Sequence, residues 1–358
     1  MLGHSSISSS KEAKGRLGMN RFTIALLATA VGLLLLVEGV NAWTFEHKSR
    51  VQRLQLAQRH ALLAVRDLNS SDSAHIVLLG NSLLLEGVNV QSLTKQTEPR
   101  AIPVPYFVLA TEYYDWYFGL KRLFAEGVRP RYVLLGLSPN QFASSNTRGE
   151  YSARFLFRWE DLIAVAHDTH MNATATSSLV LGHVSEFWST RQITRGYLLG
   201  ELLPGVSALL HDVGTGRDPA IPESTLKTLA TDRLASLDAL CRTNGAQFLF
   251  VVPPSYQTGS ETIAEAGRDL HVPVLVPVAN DELDESSFQS DGIHLNEKGA
   301  AIFTNRLAAD LQRLISSSTV AFATDHLGTH STRELASKAQ GVFGRYPDTV
   351  LIKRKSNQ

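Results

Sequence analysis

The sequence predicts an α/β protein: a mainly parallel sheet covered by helices on both faces, preceded by one helix of membrane-spanning length. Three observations predict it. Short continuous apolar runs alternate with stretches of helical periodicity; that alternation stops once, between Ser138 and Pro222; and the segment from Phe22 to Trp43 is almost wholly apolar.

Residues 1–21 are polar and Ser-rich, carry Lys11, Lys14, Arg16 and Arg21, and read as a short cytoplasmic tail. Phe22 to Val37 is then apolar, and Gly39 to Trp43 extend the run past a single Glu38. At 1.5 Å per helical residue about 20 residues cross a bilayer core, so 22–43 reads as a single-pass anchor. A cleaved signal peptide is the alternative, because Val40-Asn41-Ala42 resembles a cleavage site; the length of the apolar run favours a retained anchor. His47, Lys48, Arg50, Arg53 and Arg59 follow the span and nearly balance the basic residues before it. The expected topology keeps the tail in the cytoplasm and the large domain outside, in the periplasm of a bacterium.

Residues 44–72 form a stalk or a first packing helix, with Val51, Leu54, Leu56, Leu62, Leu63 and Val65 among Arg and Gln. The core domain is expected over 73–316. Its first strand is His75 to Gly80, apolar throughout as a strand buried on both faces should be, and its second is Val104 to Ala110. A helix from Thr111 to Glu126 follows, with Thr111 as N-cap and Tyr113, Tyr114, Trp116, Tyr117, Leu120, Leu123 and Phe124 at helical spacing. Arg131 to Leu137, introduced by Pro130, is the third strand.

The break in alternation reads as a helical insertion over about 142–221, with helices at Trp159 to His167, Ser177 to Thr190 and Arg195 to Leu203. Alternation then resumes: helix Pro222 to Asn244, strand Gln247 to Val252, helix Glu261 to Leu270, strand Val272 to Val276, and a long helix from Asn296 to Ser317. Residues 317–358 lack a strong period, end in Lys353, Arg354 and Lys355, and read as a peripheral extension.

Composition narrows the chemistry. A chain of 358 residues, 44% hydrophobic, can bury one large core. Lys+Arg and Asp+Glu both total 34, so no basic field recruits nucleic acid. Cys241 stands alone, which removes intramolecular disulfides and thiolate clusters, and it reads as a small buried apolar residue. His167 and His170 flank Asp168 without a third spaced ligand, so the sequence calls for no metal, and it calls for no cofactor.

Two segments carry the chemistry. Gly80-Asn81-Ser82 closes the first core strand, and in a parallel sheet the sites lie outside the carboxyl ends of the strands. Far along the chain, Asp291-Gly292-Ile293-His294 offers a carboxylate three residues ahead of an imidazole, placed to bond Nδ1–H and leave Nε2 for a serine. Taken alone, the first is equally a helix-capping turn and the second a loop carrying a histidine. Leu84 stands where the α/β-hydrolase elbow requires glycine.

Together these blocks resemble the SGNH (GDSL-type) hydrolases, which carry a nucleophilic serine in a Gly-Asp-Ser block after the first strand and an Asp-x-x-His block near the carboxyl end. Here Asn81 replaces the aspartate, and the second block, Phe288 to Asn296 with Gly299 following, is the more specific match. The resemblance implies a flavodoxin-like, three-layer, doubly wound sheet, with Ser82 as nucleophile, His294 as general base and acid, and Asp291 as its orienter.

The two middle blocks of that family depart from its pattern. Ala110-Thr111 stands where a glycine follows the second strand, so Thr111 falls at that oxyanion position; after the third strand, strict spacing offers Ser138 and looser spacing Asn140. Anchored, outward-facing members resemble enzymes that add or remove acetyl groups on exopolysaccharide or cell-wall glycan. The expected partners are an acylated glycan or ester substrate, the membrane through one helix, and a multi-span acyltransferase. Trp159 and Trp188, in the insertion, are the sugar-stacking candidates. A non-catalytic glycan-binding or accessory subunit of a polysaccharide acylation or export system is the second expectation, and a lipid esterase a third.

Overall fold

The computed structural model describes residues 20–64, 74–202, 221–279 and 281–322; the expected tail, the end of the stalk, part of the insertion and most of the carboxyl-terminal extension lie outside them. Among the described residues five parallel strands form one sheet: β1 (Ala74–Gly80), β2 (Ala101–Phe107), β3 (Tyr132–Gly136), β4 (Gln247–Val251) and β5 (Val274–Leu275). Their order across the sheet is β2-β1-β3-β4-β5.

Each central strand is buried on both faces, and its side chains divide by parity. Val77 and Leu79 of β1, Val133 and Leu135 of β3, and Phe248 and Phe250 of β4 enter one core. Ile76 and Leu78, Leu134, and Leu249 and Val251 enter the other. A two-residue side-chain period therefore feeds two separate helical layers. The first layer comprises α2 (Arg50–Ala64), α5 (Tyr113–Ala125) and the two helices flanking β4, α11 (Glu223–Thr243) and α12 (Ser260–Leu270). The second comprises α3 (Ser82–Gly87), α4 (Val90–Thr97) and α13 (Glu297–Phe322), whose Phe303, Leu307 and Leu311 are fully buried. Fully burying one such side chain is worth about 1.5–3 kcal/mol, so both layers are needed to hold the sheet.

The second strand begins three residues earlier than its apolar run implies, because it takes in Pro103 and Pro105. It can do so because β2 is the sheet edge, where a missing N–H removes no ladder bond. Helix α2 covers that edge: the Gln58 side chain accepts from the Phe107 N–H at 2.9 Å, Leu62 is fully buried, and Arg59 pairs with Glu126 at 2.6 Å. It is thus a packing helix. Thr111 does not cap α5, since its hydroxyl donates to the Val108 carbonyl at 2.6 Å; Glu112 is the N-cap instead, its N–H bonded to Asp115.

After β3 come α6 (Pro139–Ala143) and the insertion: α7 (Glu150–Phe155), a 3-10 turn at Trp159–Asp161, α8 (Leu162–Asp168), α9 (Ala173–Val184) and α10 (Glu186–Leu202). These helices pack on one another and on α1 (Arg21–Lys48). Helix α1 is long and apolar enough to cross a membrane, and its apolar stretch is not buried in the protein. Cys241 is fully buried in the first core, and that burial pushes its thiol pKa up.

Candidate active site

The site begins with a pair of glycines. Gly80 and Gly136 end the adjacent strands β1 and β3 in register, and a Cβ on either would lie within 3 Å of the Leu84 side chain. Their bare backbone is the seat into which Leu84 packs, and that contact sets α3 directly on the ends of the strands. Ser82 is the first residue of α3, half-buried, at the carboxyl edge of the sheet.

Asn81 makes the turn. Its side-chain oxygen accepts from the Leu83 N–H at 3.0 Å, an N-cap bond, while its amide donates to the Thr111 carbonyl at 2.9 Å. One fully buried side chain thereby ties the end of β1 to the loop after β2. That loop turns at Ala110 with φ +52°, a left-handed conformation that favours glycine. Aspartate at position 81 would keep the cap but set an oxygen against the Thr111 carbonyl. Asn81→Asp is expected to destabilise the fold by about 1–3 kcal/mol in denaturant unfolding, the range for a buried carbonyl losing its donor.

The second half of the site is a closed loop. Phe288 and Leu295 form an antiparallel bridge, and the Gln289 N–H donates to the His294 carbonyl at 2.7 Å. Gly292 takes φ +68° inside it. Asn296 fastens the loop to α13: its oxygen accepts from the N–H groups of Lys298 and Gly299, and its amide donates to the carbonyls of Ser286 and Phe288. Gly299 has to be glycine, because a Cβ there would meet the Ser287 carbonyl at 2.3 Å.

Within this loop Asp291 divides its two oxygens. Oδ1 accepts from the N–H groups of Ile293 (2.9 Å) and His294 (3.0 Å), and Oδ2 faces His294 Nδ1 at 2.8 Å. His294 Nε2 lies 2.8 Å from Ser82 Oγ. Burial alone would raise the Asp291 pKa, but the two N–H groups and the imidazole outweigh it and hold the carboxylate below its usual range. A carboxylate accepts only, so Nδ1 carries the proton, and Nε2 is left to accept from the Ser82 hydroxyl.

No protein-family model matches this chain, and no curated protein sequence matches it. The chemistry of the site therefore rests on its geometry.

The structure brings Ser82, His294 and Asp291 into one hydrogen-bonded row, as the two sequence segments imply. Ser138 and Asn140 lie at the same edge of the sheet, beyond the end of β3; their backbone N–H groups donate to the side chains of Gln141 and Gln257, so what either can offer an oxyanion is its side chain. The Thr111 hydroxyl donates to the Val108 carbonyl, so at the glycine's position Thr111 can offer only its backbone N–H. Trp159 and Trp188 make their contacts within the insertion: Trp159 lies 5.4 Å from the His183 ring, and Trp188 donates to Ser178 beneath the Arg191 guanidinium.

Two further residues adjoin the row. Glu86 stands one helical turn after Ser82; burial pushes its carboxyl pKa up, against the pull of His294 and the Gln289 amide. Gln289 bridges Glu86 (3.3 Å) and the Leu295 carbonyl (3.1 Å), joining α3 to the histidine loop. The i, i+4 spacing of Ser82 and Glu86 was readable in the sequence; the position of Gln289 was not.

Proposed function

We propose that the chain is a membrane-anchored serine acyl-transfer enzyme of the SGNH type, an O-acetyltransferase or acetylesterase acting on exopolysaccharide or cell-wall glycan. One observation carries the reading: the 2.8 Å contacts linking Asp291, His294 and Ser82 across the two blocks of sequence. The strand order 2-1-3-4-5, the same as in flavodoxin-like sheets, supports it, as does a serine just beyond β1. The left-handed turn at Ala110 is a third support, since it is the conformation a glycine would take there.

In this mechanism Ser82 Oγ attacks the acyl carbonyl while His294 Nε2 takes its proton. The leaving alcohol receives that proton, and an acyl-enzyme remains. Water or a sugar hydroxyl then attacks, giving its proton to His294, and Ser82 departs with it. The Ser82 N–H, at the start of α3 where helix geometry gives it no partner, is the backbone donor for the developing oxyanion in this mechanism. Helix α1 keeps the domain at the membrane, with the catalytic edge outside the cytoplasm. Asn41 supports retention of the helix, because it is buried and bonded to Thr190 and Thr194 and would be cut from the domain by cleavage at that point.

Full-length protein in detergent, given 4-nitrophenyl acetate, should release nitrophenol and take up a fluorophosphonate on Ser82, identified by peptide mass. Added oligosaccharide that captures the acetyl group indicates a transferase, and acetate alone an esterase; longer acyl chains turned over faster would indicate a lipid esterase. A second reading, a non-catalytic glycan-binding or accessory subunit that sits with a multi-span acyltransferase, is favoured by the departures at Thr111 and Ser138 from the glycine and asparagine of the family's oxyanion hole. It predicts no turnover and no adduct.

A further inference from the structure

Glu38 is the only charged residue between Phe22 and Trp43. It lies about 26 Å along α1 from Arg21 at 1.5 Å per residue, inside or at the rim of a hydrocarbon core about 30 Å thick. A carboxylate at that depth needs donors, and the insertion supplies them. The Ser185 hydroxyl donates to Glu38 Oε1, and the Phe187 N–H donates to Oε2 at 2.9 Å. One turn later Asn41 donates to Thr190 and accepts from Thr194, both at 2.7 Å. The corner between α9 and α10 is therefore pinned to α1 at the level where the span meets water.

That corner is apolar on its outside. Leu181 and Val184 end α9, Phe187 begins α10, and Trp159 lies beside the His183 ring with Ile163 one turn further on. These five side chains are between 36% and 69% exposed. Arg158 beside them is paired with Asp161 at 2.7 Å and Arg154 faces Glu186 at 3.8 Å, so apolar surface, not cationic charge, is what this corner presents. An exposed apolar patch at such a level, with an aromatic ring in it, is what a lipid interface takes up.

We infer that the α8–α10 corner is a second membrane contact, a wedge of Trp159, Ile163, Leu181, Val184 and Phe187 seated in the headgroup–acyl boundary beside α1. The inference rests on reading α1 as a span. Two contacts, one through the bilayer and one on it, hold the domain at a set tilt instead of letting it swing on its anchor.

Spin labels on the full chain in phosphatidylcholine vesicles test this, with single cysteines at Ile163, Val184, Leu27 and Ala235. Native Cys241 is fully buried and stays unlabelled. Labels at Ile163 and Val184 should collide with oxygen in preference to a water-soluble nickel chelate, by a ratio several-fold above that at Ala235, an exposed position on α11. Leu27 should be deeper still. Water-like values at Ile163 and Val184 with Leu27 embedded would leave the span standing and overturn the wedge. Shielding of both from either reagent would mean that protein covers the corner, which also overturns it. A Leu27 label outside lipid removes the span, and the wedge with it.

Discussion

Ser82→Ala is expected to remove ester turnover by a factor on the order of 10^5–10^6 in kcat, the scale for deleting a nucleophile from a working triad. The hydroxyl is the atom that forms the new bond, and neither neighbour can replace it: His294 Nε2 is 2.8 Å away but is held as a base by Asp291, and Glu86 is already bonded to Gln289. The fold should be unaffected, because Ser82 is half-buried and α3 is seated by Leu84 and capped by Asn81. Unfolding free energy is expected to stay within about 1 kcal/mol of the parent, the worth of one hydrogen bond. Initial rates with 4-nitrophenyl acetate and a denaturant melt check both halves. Equal rates in parent and variant would rule out Ser82 as the nucleophile.

What made Ser82 visible in the sequence is also what limited the reading there. A continuously apolar strand ending in Gly80 is a local signal, and so is the Asp291 to His294 spacing; each is written within a few residues. The sheet was legible for the same reason, since β1, β3 and β4 are buried on both faces and show it residue by residue. Contacts between distant segments left no such mark. The match of Gly80 with Gly136 depends on strand register, and the bond from Asn81 to Thr111 on where the loop after β2 passes. Asn81 stands where the resembled family carries aspartate, and its amide does what a carboxylate cannot, donating to a carbonyl. Short helices were lost too: α3 and α4, of 6 and 8 residues, are too brief for periodicity to register. The prolines hid the start of β2 because edge position is a property of topology, not of the strand's own residues.

Asp291→Asn separates the electrostatic part of the site from its architecture. The asparagine oxygen can keep the Oδ1 position, accepting from the N–H groups of Ile293 and His294, so the loop should close as before. The amide nitrogen then replaces Oδ2 and presents hydrogens to His294 Nδ1, which must become an acceptor. The ring proton moves to Nε2, and Nε2–H points at the Ser82 oxygen as a donor. A base in that tautomer cannot take the hydroxyl proton. The expected loss is about 10^4 in kcat with KM little changed, the size found when a triad carboxylate is made an amide with its geometry intact. Asp291→Ala removes the loop bonds as well and should lose stability by about 1–3 kcal/mol besides. The pH dependence has a definite sign. Because the native carboxylate titrates below its ordinary value, its contribution to stability is present above the unfolded pKa of about 3.9 and disappears as pH falls through the native one. The stability gap between parent and Asp291→Asn should therefore be largest near neutrality and shrink in acid, while the gap in kcat persists wherever the parent is active. Denaturant melts at several pH values, set beside steady-state rates, would show the two gaps moving apart; a variant that lost kcat only where it lost stability would reduce Asp291 to a structural residue of the loop.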